Sequence, residues 1–222
     1  MNNLKTPVEL LLASSSPRRR QIINLLGLPY VTAVASEEEE AAEKRYSGVP
    51  ENLALWLAKH KAGVALKLPE AAGRLVVTAD TTVLLDNEVL GKPRDKAHAQ
   101  QLLRALRGRW HHVITSVVVC ATLDGQTVMH SASCATPVLM RNYSHSEISK
   151  YIATGDPLDK AGAYGIQHAS FQPTEQIDGC YLNVVGLPVC ILVDLLAEFS
   201  VYPVRAQARA DEGCPWSEKC LI

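Results

Sequence analysis

Four short stretches of the chain hold clustered serines, arginines or carboxylates in settings that suggest a reactive site. In the first, Ser14, Ser15 and Ser16 run into Pro17 and three arginines, Arg18, Arg19 and Arg20. Proline suits the first position of a helix, where its missing N–H would be unpaired anyway. Arginines normally favour a helix C-terminus, so a cluster at the start works against the macrodipole unless an anion sits there. Serine hydroxyls, free N–H groups and guanidinium forks together suit a polyphosphate. A serine N-cap followed by solvated arginines fits the same residues, and the stretch alone leaves both readings open. It is neither a Walker loop nor a G-x-G-x-x-G turn.

The second stretch is LVVTADTTVLL, an apolar run with a polar interruption that holds Asp80. A carboxylate inside an apolar strand is expensive unless it is paired or bound to metal, so Asp80 points to function. The third is the run Glu37, Glu38, Glu39 and Glu40. Most of these side chains read as a solvated helix start or loop, although one could serve a hard divalent cation on a polyphosphate. The fourth is DPLDKAGAYGIQ, residues 156–167, whose two glycines, two aspartates and lysine suit backbone held close to a ligand. An ordinary long connection is the alternative.

These residues need elements to hold them. The apolar run Val8, Leu10, Leu11, Leu12 and Ala13 reads as a buried strand leading into the serines, and Ile22, Ile23, Leu25 and Leu26 as the apolar side of the helix that follows. Gly27 and Pro29 stop that helix, and a second strand runs over 30–35. Residues 52–68 give the longest helical pattern, with Leu53, Leu57, Val64 and Leu68 near one face. Lys59 and Lys61, two positions apart on it, point in different directions. Leu75–Leu85 is a long strand, Asp86-Asn87 a turn, and 88–90 the returning strand of a hairpin. Asp95 is the predicted N-cap of a helix reaching Leu106. Residues 110–121 and 127–140 form a second hairpin around Asp124-Gly125, with His111 and His112 on opposite faces of the first strand and His111 or its neighbour buried or at an edge. Ser144 and Glu147 match a capping box for a helix to Thr154, closed by Gly155. The spacing then predicts a strand opening at Ile177, a turn at Asp178-Gly179, a return strand over Tyr181–Val185, and a last helix from Pro188 to Phe199.

The whole-chain figures narrow the classes. With 222 residues the chain can build one large domain or two small lobes. A 47% apolar and 20% charged composition is that of a globular protein, and a net charge of −1 excludes a global basic field of the kind that coats nucleic acid. The six cysteines show no C-x-x-C, and Cys120 and Cys190 fall in apolar runs as small buried hydrophobes. No secretory signal is legible at the N-terminus, and no run of about 18 apolar residues offers a membrane span, so no membrane partner and a cytoplasmic location are expected. Residues 1–199 read as one domain of two lobes and 200–222, which change to Pro, Ala, Arg and acidic residues, as a loosely docked tail.

Five motifs in a fixed order carry a family resemblance: Ser14-Ser15-Ser16-Pro17-Arg18-Arg19, Ala79-Asp80-Thr81, Gly91-Lys92-Pro93-Arg94-Asp95, residues 157–167, and Val184-Val185-Gly186-Leu187-Pro188. Each is weak alone; together they resemble the Maf family of nucleoside triphosphate pyrophosphatases, also described as septum-formation inhibitors. The resemblance implies an α/β fold, a long mixed β-sheet with flanking helices in two lobes around a cleft, similar to the inosine triphosphatase architecture. It implies hydrolysis between the α- and β-phosphates with a divalent cation, Mg²⁺ or Mn²⁺. By position Asp80 matches the proton acceptor, Ser14, Arg18 and Arg19 the phosphate-binding loop, Lys61 and Lys92 its lysines, and Glu38 or Glu39 the acidic cluster, with Asp80 and Glu39 as the expected metal pair. Arg18, Thr81 and Gln167 resemble the dTTP/UTP branch; members that act on 7-methyl-GTP carry Gln and Glu where this chain has Thr81 and Gln167. A homodimer is implied as well. Cys180, where members often have Ser or Asp, and the residues from Ser200 onward depart from the pattern. A nucleotide-binding regulator of cell division without turnover is the competing class. An enzyme releasing inorganic phosphate is a third, with no nucleophile motif to support it.

Overall fold

The computed structural model describes residues 8–34, 42–43 and 45–203. Its frame is a seven-stranded mixed sheet of order β2-β1-β3-β5-β6-β7, with β4 paired to β3 off that path. Strand β1 (Leu10–Ala13) lies parallel to β2 (Tyr30–Ala33) and to β3 (Leu75–Leu85). The remaining pairings are antiparallel: β3 with β4 (Glu88–Val89) and β5 (Trp110–Leu123), β5 with β6 (Gln126–Met140), and β6 with β7 (Thr174–Ile177). All four residues of β1 are buried, because a central strand flanked on both sides and covered on both faces must be apolar throughout.

Strand alternation assigns the two faces of β3. Leu75, Val77 and Ala79 join a core with Ile22 and Ile23 of helix α1 (Pro17–Ile23) and with the last helices of the chain. Val83 and Leu85, farther along the same face, belong to a second core with Leu102, Leu103 and Leu106 of α3 (Lys96–Leu106) and with Ile148 and Ile152 of α4 (His145–Ala153). Thr81 falls where one core gives way to the other, and it is the one half-buried position in β3. The opposite face carries Val76, Thr78, Asp80, Thr82 and Leu84 and packs on α2 (Leu53–Ala65).

Helix α2 differs from its predicted form. Its sheet-facing stripe is Ala54, Ala58, Ala62 and Ala65, every one fully buried, while Leu53 and Leu57 pack beside Ala42 and Val64 is half-buried. Alanines bring the helix axis close enough for the Thr78 hydroxyl to donate to the Ala58 carbonyl at 2.8 Å. The periodicity of large side chains therefore pointed one-third of a turn away from the true contact face. The helix also ends at Ala65 rather than Leu68.

The end of the chain holds the main correction. Ile177 closes a strand rather than opening one, and Tyr181–Val185 is a helical turn, α5, instead of a return strand. Cys180 caps it, its sulfur accepting the Asn183 N–H at 3.3 Å, and Gly186 ends it at φ 122, a backbone angle that glycine reaches freely. A five-residue segment rich in Tyr and Val has β propensity, yet tertiary burial of Asn183 decides its conformation. Helix α6 (Val189–Ala197) follows as predicted, and the core extends past it to Val201. The Pro17, Asp95 and Ser144–Glu147 start signals all stand where the sequence put them. His111 is buried and His112 exposed, as their alternation requires; Cys120 is buried but Cys190 only half-buried.

Candidate active site

Strand β1 pairs with β3 only as far as Leu12↔Val77, and β4 rejoins it at Leu84↔Val89. Between these pairings one edge of β3 opens into a cleft of about 1760 Å³. Residues 14–16 leave the end of β1 at its rim, beside Asp80. This is the position at which open α/β sheets collect ligands, because loops there diverge from the strand ends.

Asp80 sits on the α2 face of that edge and is 8% exposed. Lys61, one turn beyond Ala58 on α2, reaches it: Lys61 Nζ lies 2.5 Å from Asp80 Oδ1, with both side chains 12% exposed. The sequence argument that a strand carboxylate must be paired is met by this lysine, and Asp80 lines the cleft. Lys59, as its spacing required, takes no part in lining the cleft.

The serine–arginine stretch is only partly the cradle expected of it. Ser14 Oγ accepts the Ser16 N–H at 3.2 Å, and Ser16 Oγ accepts the Arg19 N–H at 3.4 Å. Arg18 and Arg19 line the cleft, both half-buried. Arg20 is exposed and turns back to the Ser15 carbonyl at 3.2 Å, outside the cleft. Arg19 is held in place: Nε donates to the Gly186 carbonyl at 2.8 Å and Nη2 to Thr81 Oγ1 at 3.1 Å. Of the two cleft arginines, Arg19 therefore touches Thr81, the residue that the resemblance associates with the choice of base. Lys92 is exposed on the rim just past β4.

The loop over 156–167 is a fixed wall of the cleft, and its charged residues are spent on one another. The Lys160 ammonium donates to the Asp156 carbonyl at 2.5 Å, to Asp156 Oδ1 at 2.9 Å and to Asp159 Oδ1 at 2.7 Å. Tyr151 of α4 donates its hydroxyl to Asp156 Oδ2 at 2.6 Å and accepts the Gly165 N–H at 2.9 Å. Burial works to raise the Asp156 carboxyl, but the bonds from Tyr151 and Lys160 outweigh it and hold the group below its ordinary range. Gly165 must lack a side chain, since a Cβ would lie 2.8 Å from Lys160 Cε. Beneath the loop, Tyr164 meets buried His111, hydroxyl to Nε2, at 2.7 Å. Burial lowers His111 from 6.5 to about 4.

Helix α5 ties the selective side of the cleft together. Tyr181 stands at its first position, where burial raises its hydroxyl and the exposed Gln167 side chain works weakly against that. Fully buried Asn183 holds Thr115, whose hydroxyl lies 2.8 Å from that of Thr81. Gly186 just beyond the helix takes Arg19. Sequence reading missed Thr115 because its link to Asn183 crosses 68 positions, and Tyr181 and Asn183 because it took this segment for a strand. Its one usable signal was an asparagine inside an apolar run, a residue that is buried only when its amide is satisfied.

Glu38 and Glu39 lie outside the described residues, as do Cys214 and Cys220. Among the described residues no group of three His, Cys, Asp or Glu side chains forms a metal cage, while Glu43 and Glu88 line the cleft. A donor set of this kind fits Mg²⁺ or Mn²⁺ held on polyphosphate, because such an ion keeps several waters and needs only one or two protein carboxylates. No helix of the described residues is long and apolar enough to cross a membrane.

A family model described as Maf-like protein matches residues 9–199. A dTTP/UTP pyrophosphatase of Dehalococcoides mccartyi is 42% identical over 213 residues, covering 96% of this chain and 92% of the relative. One from Thermomicrobium roseum is 44% identical over 190 residues, covering 85% and 83%. One from Bacillus velezensis is 42% identical over 192 residues, covering 86% and 97%. Among solved structures, the Staphylococcus aureus Ham1 protein aligns at 14% identity and a TM-score of 0.41, over 86% of this chain and 97% of that one. That last likeness is too slight to bear on the fold.

Proposed function

The chain belongs to the Maf family, and on that premise we propose that it is a nucleoside triphosphate pyrophosphatase that cleaves dTTP and UTP to the monophosphate and pyrophosphate. The observation that carries the reading is the placement of Asp80, a nearly buried carboxylate at an open strand edge, paired with Lys61 in a cleft that Arg18 and Arg19 also line. In the reaction a water oxygen attacks the α-phosphorus in line, the bond to the α–β bridging oxygen breaks, and pyrophosphate leaves. Asp80 accepts the proton of the attacking water through Oδ2. Lys61 fixes the other carboxylate oxygen, so Asp80 cannot rotate away from the water. Arg18, Arg19, Lys61 and Lys92, with the Ser14–Ser16 loop, face the charge that builds on the leaving pyrophosphate.

Asp80 and Glu39 would hold the divalent cation, Mg²⁺ or Mn²⁺, on the substrate phosphates. When bound, it supplies Lewis-acid polarisation of phosphoryl oxygens. Arg18, Thr81 and Gln167 read the base. Gln167 offers the base an amide with both a donor and an acceptor, and mismatched polar groups then reject other bases. The family premise extends to a homodimer in the cytoplasm, checked by sedimentation of the purified chain.

The test is product identity. Purified protein incubated with dTTP, UTP, CTP, ATP, GTP and 7-methyl-GTP plus Mg²⁺ or Mn²⁺ should release pyrophosphate and monophosphate from dTTP and UTP. Release of inorganic phosphate, or recovery of intact triphosphate throughout, would refute the assignment. Preferred turnover of 7-methyl-GTP would overturn the reading of Arg18, Thr81 and Gln167.

A further inference from the structure

The Thr81 hydroxyl belongs to a hydrogen-bonded chain in which each proton has only one place to go. A backbone carbonyl can only accept, so the Thr115 hydroxyl spends its proton on the Asn183 carbonyl, 2.8 Å away. Thr115 Oγ1 is then an acceptor for Thr81, and the Thr81 proton must lie along the 2.8 Å line between the two hydroxyls. Arg19 Nη2 has nothing but protons to offer and donates into Thr81 Oγ1 at 3.1 Å. A hydroxyl has one proton and two lone pairs. With the proton and one lone pair committed, Thr81 has a single lone pair left for the cleft.

Asn183 cannot relax to reverse this order. Its Oδ1 accepts the Thr115 N–H at 3.0 Å, and its Nδ2 donates both protons, to the Val113 carbonyl at 2.9 Å and to Thr136 Oγ1 at 2.8 Å. The residue is fully buried, where an unmade bond is costly, so its carbonyl is locked toward Thr115.

We propose that Thr115 and Asn183 are positioning residues that fix Thr81 as a hydrogen-bond acceptor toward the substrate, selecting a base that presents a ring N–H there. Uracil and thymine carry such a donor at N3 between two carbonyls. Cytosine presents a bare lone pair at N3, which would face the lone pair of Thr81. The proposal deepens the pyrimidine triphosphatase reading and rests on it for the choice of ligand. It adds two buried residues that touch no substrate and still set its selection.

The experiment measures equilibrium binding of the α,β-methylene analogues of UTP and CTP to the full chain and to Thr115→Val and Thr115→Ser, with thermal melts alongside. The unaltered protein should favour the UTP analogue at least tenfold. Thr115→Val frees the Thr81 proton and should narrow that preference about tenfold, the ratio equivalent to roughly 1.4 kcal/mol. Thr115→Ser keeps the chain of bonds and should keep the preference, which a packing role for the threonine methyl would not predict. A folded Thr115→Val with undiminished preference overturns the proposal, as does equal binding of the two analogues by the unaltered protein. If Thr115→Val does not fold, N3-methylation of the UTP analogue gives the answer on the unaltered protein: a loss of tenfold or more supports the acceptor, and unchanged affinity overturns it. Because binding is read without turnover, failure to release pyrophosphate would refute the proposed activity and leave this comparison standing.

Discussion

The Lys61–Asp80 pair should respond asymmetrically to the loss of either partner. At 2.5 Å, with both side chains 12% exposed, the pair is drier than a surface salt bridge. Unit charges at that separation attract by roughly 6–7 kcal/mol at an effective dielectric near 20. Desolvation of the two ions consumes most of that gain, so the pair as a whole adds little over an apolar one. Removing one ion leaves the other with its burial cost and without this attraction. Asp80 is fixed in the middle of β3, whereas the lysine ammonium rides on a flexible stem that can swing into the cleft. Lys61→Met should therefore cost about 3 kcal/mol, below the full buried-pair penalty because some solvent reaches the site. Asp80→Asn should cost about 1 kcal/mol, since a neutral amide of the same shape can still accept from the lysine. The double variant should cost about 2 kcal/mol, leaving a coupling of about 2 kcal/mol between the two positions. Urea unfolding followed by circular dichroism in chelator reads this directly: with a slope of about 2 kcal/mol per molar, Lys61→Met lowers the midpoint by about 1.5 M. A coupling below about 0.5 kcal/mol, or Asp80→Asn proving the worse variant, would refute the picture of a pair shielded from solvent. Folded Asp80→Asn should also lose most turnover of UTP, and full activity would remove Asp80 as proton acceptor.

Two further outcomes follow from the walls of the cleft. His111 is lowered by burial from 6.5 to about 4, so its contribution to stability is complete above pH 6.5. As the pH falls below that, the unfolded chain takes the proton and the folded chain does not, and stability drops until the folded state also titrates. Unfolding midpoints should show a fall of about 2 kcal/mol between pH 7.5 and pH 5 that His111→Gln abolishes; an identical fall in the variant would show that other groups cause it. Gly165→Ala sets a methyl 2.8 Å from Lys160 Cε, on a side chain held by three hydrogen bonds. It should cost about 1–3 kcal/mol and raise KM for UTP more than it lowers kcat, because the displaced loop carries Gln167. Gly63→Ala on α2, with nothing within 4 Å, is the control: it should stabilise the helix by about 0.5–1 kcal/mol and leave KM and kcat unchanged.

Elements with local signals were legible in the sequence. Pro17, Asp95 and the Ser144–Glu147 box mark helix starts through bonds made within four residues, and all three hold. The fully apolar β1 and the interrupted β3 announced buried strands, and the cost of a strand carboxylate singled out Asp80 before any partner was known. Long-range packing set the rest. That Lys61 pairs with Asp80 depends on how closely an alanine stripe lets α2 approach the sheet, which helical periodicity of large side chains misreported. That Lys160, Asp156 and Asp159 neutralise one another, rather than a ligand, depends on how their loop closes. The five residues of α5 carry too little periodicity to be told from a strand, so their conformation was set by Asn183, which satisfies its amide only by reaching β5 and β6. Hydrogen bonds between residues 34 to 70 positions apart fix the polarity of Thr81, and no local pattern encodes a proton's direction across that separation.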